Sequence, residues 1–171
     1  MKHGFKRILI LNGHGGNDAT LAWTVDRLAM DFKIVIPRIT HWDLIIPESK
    51  SLEIIESRPA FGQHPGEYET SLSWAVSPEY VSPKDMEDFP IKPKSIFLTG
   101  GRAVIFNPLS ARSRRGAYGS NSLSTKEKGE KLLNFTVEKL VEFLTEFKTW
   151  NVEDVSSLYV QDSKQETGKK K

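Results

Sequence analysis

The chain has 171 residues, 38% of them hydrophobic and 27% charged, which is typical of one globular domain with a buried core. Its formal net charge is only +2, and much of the basic excess lies in the final QETGKKK, which argues against a nucleic-acid or anionic-membrane surface. The absence of cysteine excludes disulfides, thiolate nucleophiles and cysteine-ligated zinc. No apolar run is long enough to cross a bilayer and the first residues lack a signal-peptide cleavage pattern, so we expect a cytoplasmic protein.

The opening segment predicts a strand, a helix and a second strand. Residues 6–11, KRILIL, form an aliphatic run without alternation, as in a parallel strand buried on both faces. Residues 18–31 predict a helix, which Asn17 or Asp18 can cap. A second aliphatic strand at 33–37 implies a parallel pair joined by a right-handed crossover. The helical spacing comes from Leu21, Val25, Leu28 and Phe32.

The middle of the sequence alternates helices with polar connections. We predict a short helix at 51–57 and a helix at 67–76, which begins after the chain break at Pro65 and Gly66. An exposed connection rich in proline and charge follows, and SIFLTG at 95–100 predicts a third strand.

A long helix closes the predicted domain. Ser124, followed three residues later by Glu127, has the pattern of a capping box. We assign residues 1–148 to one α/β domain and residues 149–171, which are polar and rich in lysine, to a weakly ordered tail. Apolar residues at helical spacing predict one packed face of the long helix, formed by Leu132, Leu133, Phe135, Val137, Leu140, Val141, Leu144 and Phe147.

The stretch NGHGGN after the first predicted strand has three interpretations. A glycine turn that leads into a helix presents free N–H groups that suit a phosphate, but the spacing matches neither the dinucleotide-binding pattern nor the P-loop. Glycines that merely turn the strand into the helix leave His14 unexplained. The third interpretation is a metal site at His14, because open α/β sheets bind ligands at the carboxyl ends of their strands.

A second stretch, HPGEYETS, places His64, Glu67 and Glu69 at a loop-to-helix junction. Histidine and carboxylate are the ligands that a cysteine-free protein offers to zinc, manganese or iron. Acidic residues in a first helical turn are also favoured by the helix dipole, so both glutamates fit plain surface charges as well. This stretch by itself leaves both interpretations open.

Residues 111–122, ARSRRGAYGSNS, predict a glycine loop. Taken together and in this order, NGHGGN, HPGEYETS and this glycine loop followed by STKEKGEKLL resemble the consecutive signatures of the creatininase family. The resemblance covers residues 4–147, nearly the whole chain apart from the tail. It implies an α/β fold of three layers, with a mainly parallel sheet flanked by helices. It also implies a homo-oligomer, usually a hexamer, and a pair of divalent metals (zinc, manganese or iron) at the strand ends.

The resemblance implies roles for individual residues. His14 matches a metal-binding histidine, Glu69 a carboxylate ligand of the other metal, and His64 the histidine proposed to shuttle protons. Glu67 is a candidate metal ligand or a support for one, and Trp42 resembles a tryptophan on the loop after the second strand that faces substrate. The other substrate-binding candidates lie in the turn and are Gly15, Gly16 and Asn17.

The implied activity is metal-assisted hydrolysis of a C–N bond in a small non-peptide or cyclic amide. By this resemblance a metal-bound hydroxide would attack the carbonyl, and His64 would protonate the leaving nitrogen. Nothing in the sequence indicates a serine or cysteine mechanism.

The sequence departs from the family pattern in two respects. Gly16 stands where one branch of the family has a glutamate, and the family's N-terminal Glu-x-His motif and metal-bridging aspartate have no counterpart, so we expect a fold incomplete at its N-terminus. The first hypothesis is an enzyme that needs a missing N-terminal part or a partner chain. The second is a catalytically inactive remnant that acts as a binding or assembly module. The third is a reduced one-metal site formed by His14, His64, Glu67 and Glu69.

Overall fold

The chain folds as helices and a parallel strand pair, which confirms the predicted α/β class. It divides into two compact units, the first formed by Met1–Leu44 with Glu138–Lys171 and the second by Ile45–Val137. Within the described part, no helix is long and apolar enough to cross a membrane. The computed structural model describes residues 3–46, 48–57, 64–90, 94–95, 108–113 and 115–159.

The first unit contains two parallel strands, β1 (Ile10–Asn12) and β2 (Arg38–Thr40). Their register places Ile10 opposite Arg38 and Asn12 opposite Thr40. The parallel pairing predicted for the opening segment is therefore confirmed, while β1 starts later than the run at residues 6–11 suggested.

Helix α1 (Asp18–Phe32) connects the two strands and confirms the helix predicted at residues 18–31. The apolar repeat that predicted it is half-buried, except for its last member, Phe32, whose exposed fraction is 63%. The helix therefore covers the strand pair with its middle turns.

The strand predicted at residues 33–37 is wrong, because this segment caps the end of α1 and leads into β2. Lys33 adopts a left-handed conformation with φ of 51°, and its N–H donates to the carbonyl of Ala29, which closes the last helical turn. Pro37 has no N–H to donate to a strand ladder, and its carbonyl accepts from the N–H of Ile10. The ladder therefore starts only after Pro37.

The second unit is helical in its described part. Helix α3 has the bounds predicted for it, whereas α2 begins two residues earlier and ends three residues earlier than predicted. Apart from Ser95, the strand predicted at residues 95–100 lies outside the described residues. The helices that contribute to this unit are α2 (Ser49–Ile54), α3 (Glu67–Val76), α4 (Leu109–Arg112) and α5 (Lys126–Phe147), whose residues from 138 onward belong to the first unit.

The N-terminus of α5 is capped one residue later than the predicted capping box. The N–H of Lys128 donates to Oγ1 of Thr125 at 3.1 Å, so Thr125 occupies the capping position. Ser124 is buried, and its hydroxyl donates to the carbonyl of Glu67 at 3.4 Å. The box predicted from Ser124 and Glu127 is wrong, because Ser124 is used to contact α3.

The packed face predicted for α5 is confirmed only in part. Leu132, Phe135 and Phe147 are buried. Among the described residues, four other members of the repeat are exposed, at 36–56%, and form an apolar stripe on the solvent side of the helix. They are Leu133, Val137, Val141 and Leu144.

The C-terminal part of the first unit is hydrogen-bonded to the start of the chain. Arg7 donates to the carbonyl oxygens of Phe147 and Trp150 at the end of α5, and the Phe147 carbonyl also accepts from the N–H of Trp150. Phe143 stacks on Phe147, and both rings meet Trp150 edge to face. Val152, within the predicted tail, is also buried. The division into a domain at 1–148 and a tail at 149–171 stays a prediction.

Close contact between α3 and α5 depends on Gly129. A Cβ at this position would overlap the backbone carbonyl of Ser71 and lie 3.0 Å from the Cβ of Ala75. Backbone atoms cannot rotate away as a flexible side chain can, so the helices would have to separate.

We predict that Gly129→Ala destabilises the protein. Overpacking costs about 1–3 kcal/mol or more, and the higher helix propensity of alanine returns only about 1 kcal/mol, so we expect a net loss of about 2 kcal/mol in urea unfolding. Gly13→Ala is the matched control, because no heavy atom lies within 4 Å of a Cβ built there. Equal stability of the two variants would contradict the close packing of α3 on α5.

Candidate functional site

His14 lies in the turn between β1 and α1, where its side chain caps a short 3-10 turn at Gly15–Asn17. Nδ1 of His14 accepts from the N–H of Gly16 at 3.1 Å. A Cβ on residue 16 would lie 2.8 Å from Cε1 and 2.9 Å from Nδ1 of the imidazole, so this ring position needs glycine at residue 16. The glycines thus do more than turn the chain, because one of them makes room for the histidine.

The predicted cap of α1 by Asn17 or Asp18 is wrong. Asn17 makes no side-chain cap bond, and its amide donates to Oδ1 of Asn12 at 3.2 Å. The carboxylate of Asp18 accepts from Arg38 and from Thr40 instead, so both side chains bind the sheet rather than the helix start.

Trp42 lies beside the same turn. It follows β2 in a 3-10 turn at His41–Leu44, as predicted for a tryptophan on the loop after the second strand. A Cβ on Gly15 would approach the Trp42 ring to 3.3 Å, so the ring packs directly against that glycine. Burial lowers the pKa of His41, whose ring meets Trp42 edge to face, while the Asp43 carboxylate opposes this shift. The first unit therefore brings His14, the turn and Trp42 together.

His64 belongs to the second unit, where it precedes α3. Its N–H donates to the carbonyl of Tyr118 at 2.7 Å in an isolated antiparallel bridge, so the predicted glycine loop holds the histidine backbone. Oε2 of Glu69 lies 3.9 Å from Nδ1 of His64, which is an ion-pair distance when the imidazole is protonated. Both side chains are partly exposed, at 37% and 41%. His64 and Glu69 therefore form an accessible pair.

Glu67 lies in a different environment from Glu69. It is fully buried, and its carboxylate accepts from the N–H groups of Glu56 and Ser57 and from Nζ of Lys128. Lys128 also donates to Glu56 and to the carbonyl of Leu123. Protein donors engage both oxygens of Glu67, so it holds the chain before α3 against α5 rather than facing a ligand.

The charge of Glu67 is kept by these donors. Burial acts to raise the pKa of Glu67, but the hydrogen bonds from Lys128 and from the backbone of Ser57 and Glu56 outweigh it and lower the pKa. Burial likewise raises the pKa of Tyr68.

The metal-ligating side chains do not form a complete site within the described ranges. There, no group of three or more His, Asp or Glu side chains is placed to hold a metal ion. A zinc site in a protein needs about three or four ligands, and His64 with Glu69 supplies two. The described residues alone therefore do not fit a full metal site, and any further ligands lie outside them.

The sequence-family model described as creatinine amidohydrolase matches residues 1–144 of the chain. The chain belongs to the creatininase family. The creatinine amidohydrolase of Pseudomonas putida is 26% identical over 163 aligned positions, which cover 85% of this chain and 57% of that protein. A structure described as a creatinine amidohydrolase from Bacteroides fragilis NCTC 9343 has a TM-score of 0.72 at 25% identity, and the match covers 90% of this chain and 58% of that one.

The solved structures of family members confirm the creatininase-like α/β fold. A creatininase crystal structure has a TM-score of 0.68 at 21% identity, covering 85% of this chain and 58% of that one. The family consists of metal-dependent amidohydrolases, and its solved creatininases include a zinc–zinc form, a manganese form and a complex with creatine. The chain thus spans less than two thirds of the length of these relatives.

The buried Glu67 generates a prediction about stability. We expect Glu67→Gln to lower the free energy of unfolding at pH 7 by about 2 kcal/mol, because Lys128 and the two backbone donors lose a charged acceptor. The pKa of Glu67 is lowered in the folded state, so its contribution is complete above 4.5 and is lost as the pH falls through the folded-state pKa. Denaturant unfolding between pH 3 and pH 7 measures the difference in the free energy of unfolding between wild type and Glu67→Gln.

Glu69→Gln is the matched control, since it makes the same change two residues away on a partly exposed side chain. We expect it to change stability by less than about 0.5 kcal/mol. A Glu67→Gln variant that is as stable as Glu69→Gln, with no pH dependence of the difference, would contradict the structural role of Glu67.

Proposed function

We propose that this chain contributes to hydrolysis of a C–N bond in a small non-peptide or cyclic amide, as a creatininase-family amidohydrolase. The observation that carries the proposal is the accessible His64–Glu69 pair, within the span that matches the family model. A histidine is suited to moving protons near neutral pH.

In this proposal, His64 delivers the proton to the nitrogen that leaves when the amide bond breaks. The backbone bridge to Tyr118 fixes the position of His64, and Oε2 of Glu69 lies 3.9 Å from its Nδ1. Trp42 and the turn formed by Gly15, Gly16 and Asn17 are the proposed substrate-contacting surface of the first unit, where the two glycines leave little side-chain bulk.

We also propose His14 as a ligand of one divalent metal and Glu69 as a ligand of another, with zinc, manganese or iron as the candidates. Each side chain supplies one donor to its ion, so the other ligands must come from residues beyond the described ones. A segment equivalent to the rest of the longer relatives, in the same polypeptide or in a partner chain, is the proposed source, in a homo-oligomer or a mixed assembly. The cytoplasmic location stays a prediction.

The alternative function is a binding or assembly module without turnover. The observation in its favour is that the described residues contain no cluster of three metal-ligating side chains. Large exposed apolar side chains, such as Trp23 at 70% and Val141 at 56%, also suit a surface that contacts another polypeptide.

The role of His64 is tested by hydrolysis of small cyclic amides, with creatinine as the first substrate, in the presence of Zn²⁺ or Mn²⁺. We expect His64→Gln to lower kcat by about 10²- to 10⁴-fold, since the leaving nitrogen loses its proton donor. His3→Gln is the control, because His3 is an exposed histidine in the first unit. Equal turnover by the His64→Gln and wild-type chains would overturn the proposal.

The module alternative makes a different prediction for the same proteins. If wild type hydrolyses none of these amides but forms oligomers in sedimentation, we expect His14→Ala and Glu69→Gln to leave the oligomers intact. If both variants lose the oligomers, and adding Zn²⁺ or Mn²⁺ does not restore them, the result would count against a module whose contacts lie outside the candidate site.

A further inference from the structure

Asn12 is a buried polar residue that the sequence patterns did not single out. It is the last residue of β1, and only 3% of it is exposed. Its side-chain amide contacts both polar backbone groups of His14: Oδ1 accepts from the N–H at 3.2 Å, and Nδ2 donates to the carbonyl at 2.8 Å. An amide can do both, whereas a carboxylate can only accept and an aliphatic side chain can do neither.

The orientation of the Asn12 amide is fixed by groups on two other elements. Nδ2 also lies 2.8 Å from Oδ1 of Asp18 and 3.1 Å from Oγ1 of Thr40. The hydroxyl of Thr40 donates to the same Asp18 oxygen at 2.6 Å, and Arg38 donates to it at 2.9 Å. Thr40 is fully buried and stands opposite Asn12 in the strand register. The sheet and the first residue of α1 therefore both hold this amide.

We propose that Asn12, Asp18 and Thr40 are positioning residues that fix the His14 imidazole before any ligand binds. The proposal rests on the role of His14 in the proposed function. Asn12 holds the His14 backbone on both sides, and the exposed His14 ring accepts from the Gly16 N–H through Nδ1. A ligand held in place in advance loses less conformational entropy on metal binding, so the network should raise metal affinity.

The first measurement reports on His14 without any metal or substrate. A hydrogen bond from the Gly16 N–H to Nδ1 of His14 gives a nitrogen–nitrogen coupling across the bond, which NMR detects in metal-free, ¹⁵N-labelled protein. We expect the coupling in wild type and its loss in Asn12→Ala. Calorimetric titration with Zn²⁺ is the second measurement, and here we expect Asn12→Ala to lower the affinity about 10- to 100-fold.

A matched pair at residue 40 separates positioning from general stability. Thr40→Ser keeps the hydroxyl that donates to Asp18, while Thr40→Val keeps the shape and removes the hydroxyl. We expect Thr40→Ser to retain the coupling and the wild-type Zn²⁺ affinity, and Thr40→Val to lose both. Thr20→Val makes the same change on an exposed part of α1 and should leave both unchanged.

Each outcome decides something. The positioning role is overturned if the coupling is absent from wild type or persists in Asn12→Ala. If Asn12→Ala does not fold, equal couplings in Thr40→Ser and Thr40→Val overturn the positioning role instead. If the coupling follows the expected pattern but Zn²⁺ binding is absent or the same in all variants, the positioning of His14 stands and the effect of the network on the metal affinity of this chain fails.

Discussion

One buried side-chain amide, that of Asn12, connects the parts of the first unit that form the candidate site. It joins the end of β1 to β2 through Thr40, to α1 through Asp18, and to the glycine turn through His14. A buried amide is costly unless its donors and acceptor are satisfied, and here each contact also fixes one neighbouring element. The turn therefore takes its shape from the strand register as much as from its glycines.

A buried carboxylate has the corresponding place in the second unit. Glu67 joins the segment that follows α2 to Lys128 on α5, and it does so two residues before Glu69 on the same helix. The two glutamates have opposite environments because successive helical positions face different directions. Glu67 therefore keeps the helix in place, while the partly exposed Glu69 stays the proposed residue for acid–base or metal chemistry on α3.

Local patterns predicted α1 and α3 but not the bounds of the strands, and long-range contacts determined what the polar residues do. The start of α3 followed from Pro65 and Gly66, and α1 followed from its apolar spacing, because these signals lie within or next to the helix. Asn12 and Thr40 lie 28 residues apart, and Glu67 and Lys128 lie 61 apart, so only the strand register and the packing of α3 on α5 bring them together. A local sequence pattern does not show which distant residues come into contact. Glu67 and Glu69 therefore looked like equivalent candidates in the motif.

The number of ligands held in place separates a hydrolase from a module more sharply than the presence of any one motif residue. The second unit supplies His64 with Glu69, and the first unit supplies His14, so the described part of neither unit completes a metal site. Metal affinity falls steeply when preplaced ligands are missing, because the unfilled positions return to water and the ion remains exchangeable. The relatives have a longer chain in which further ligands can lie. Tight binding of a divalent ion by this chain would therefore require donors from outside its described residues, and a positioned His14 has catalytic value only where those donors are supplied.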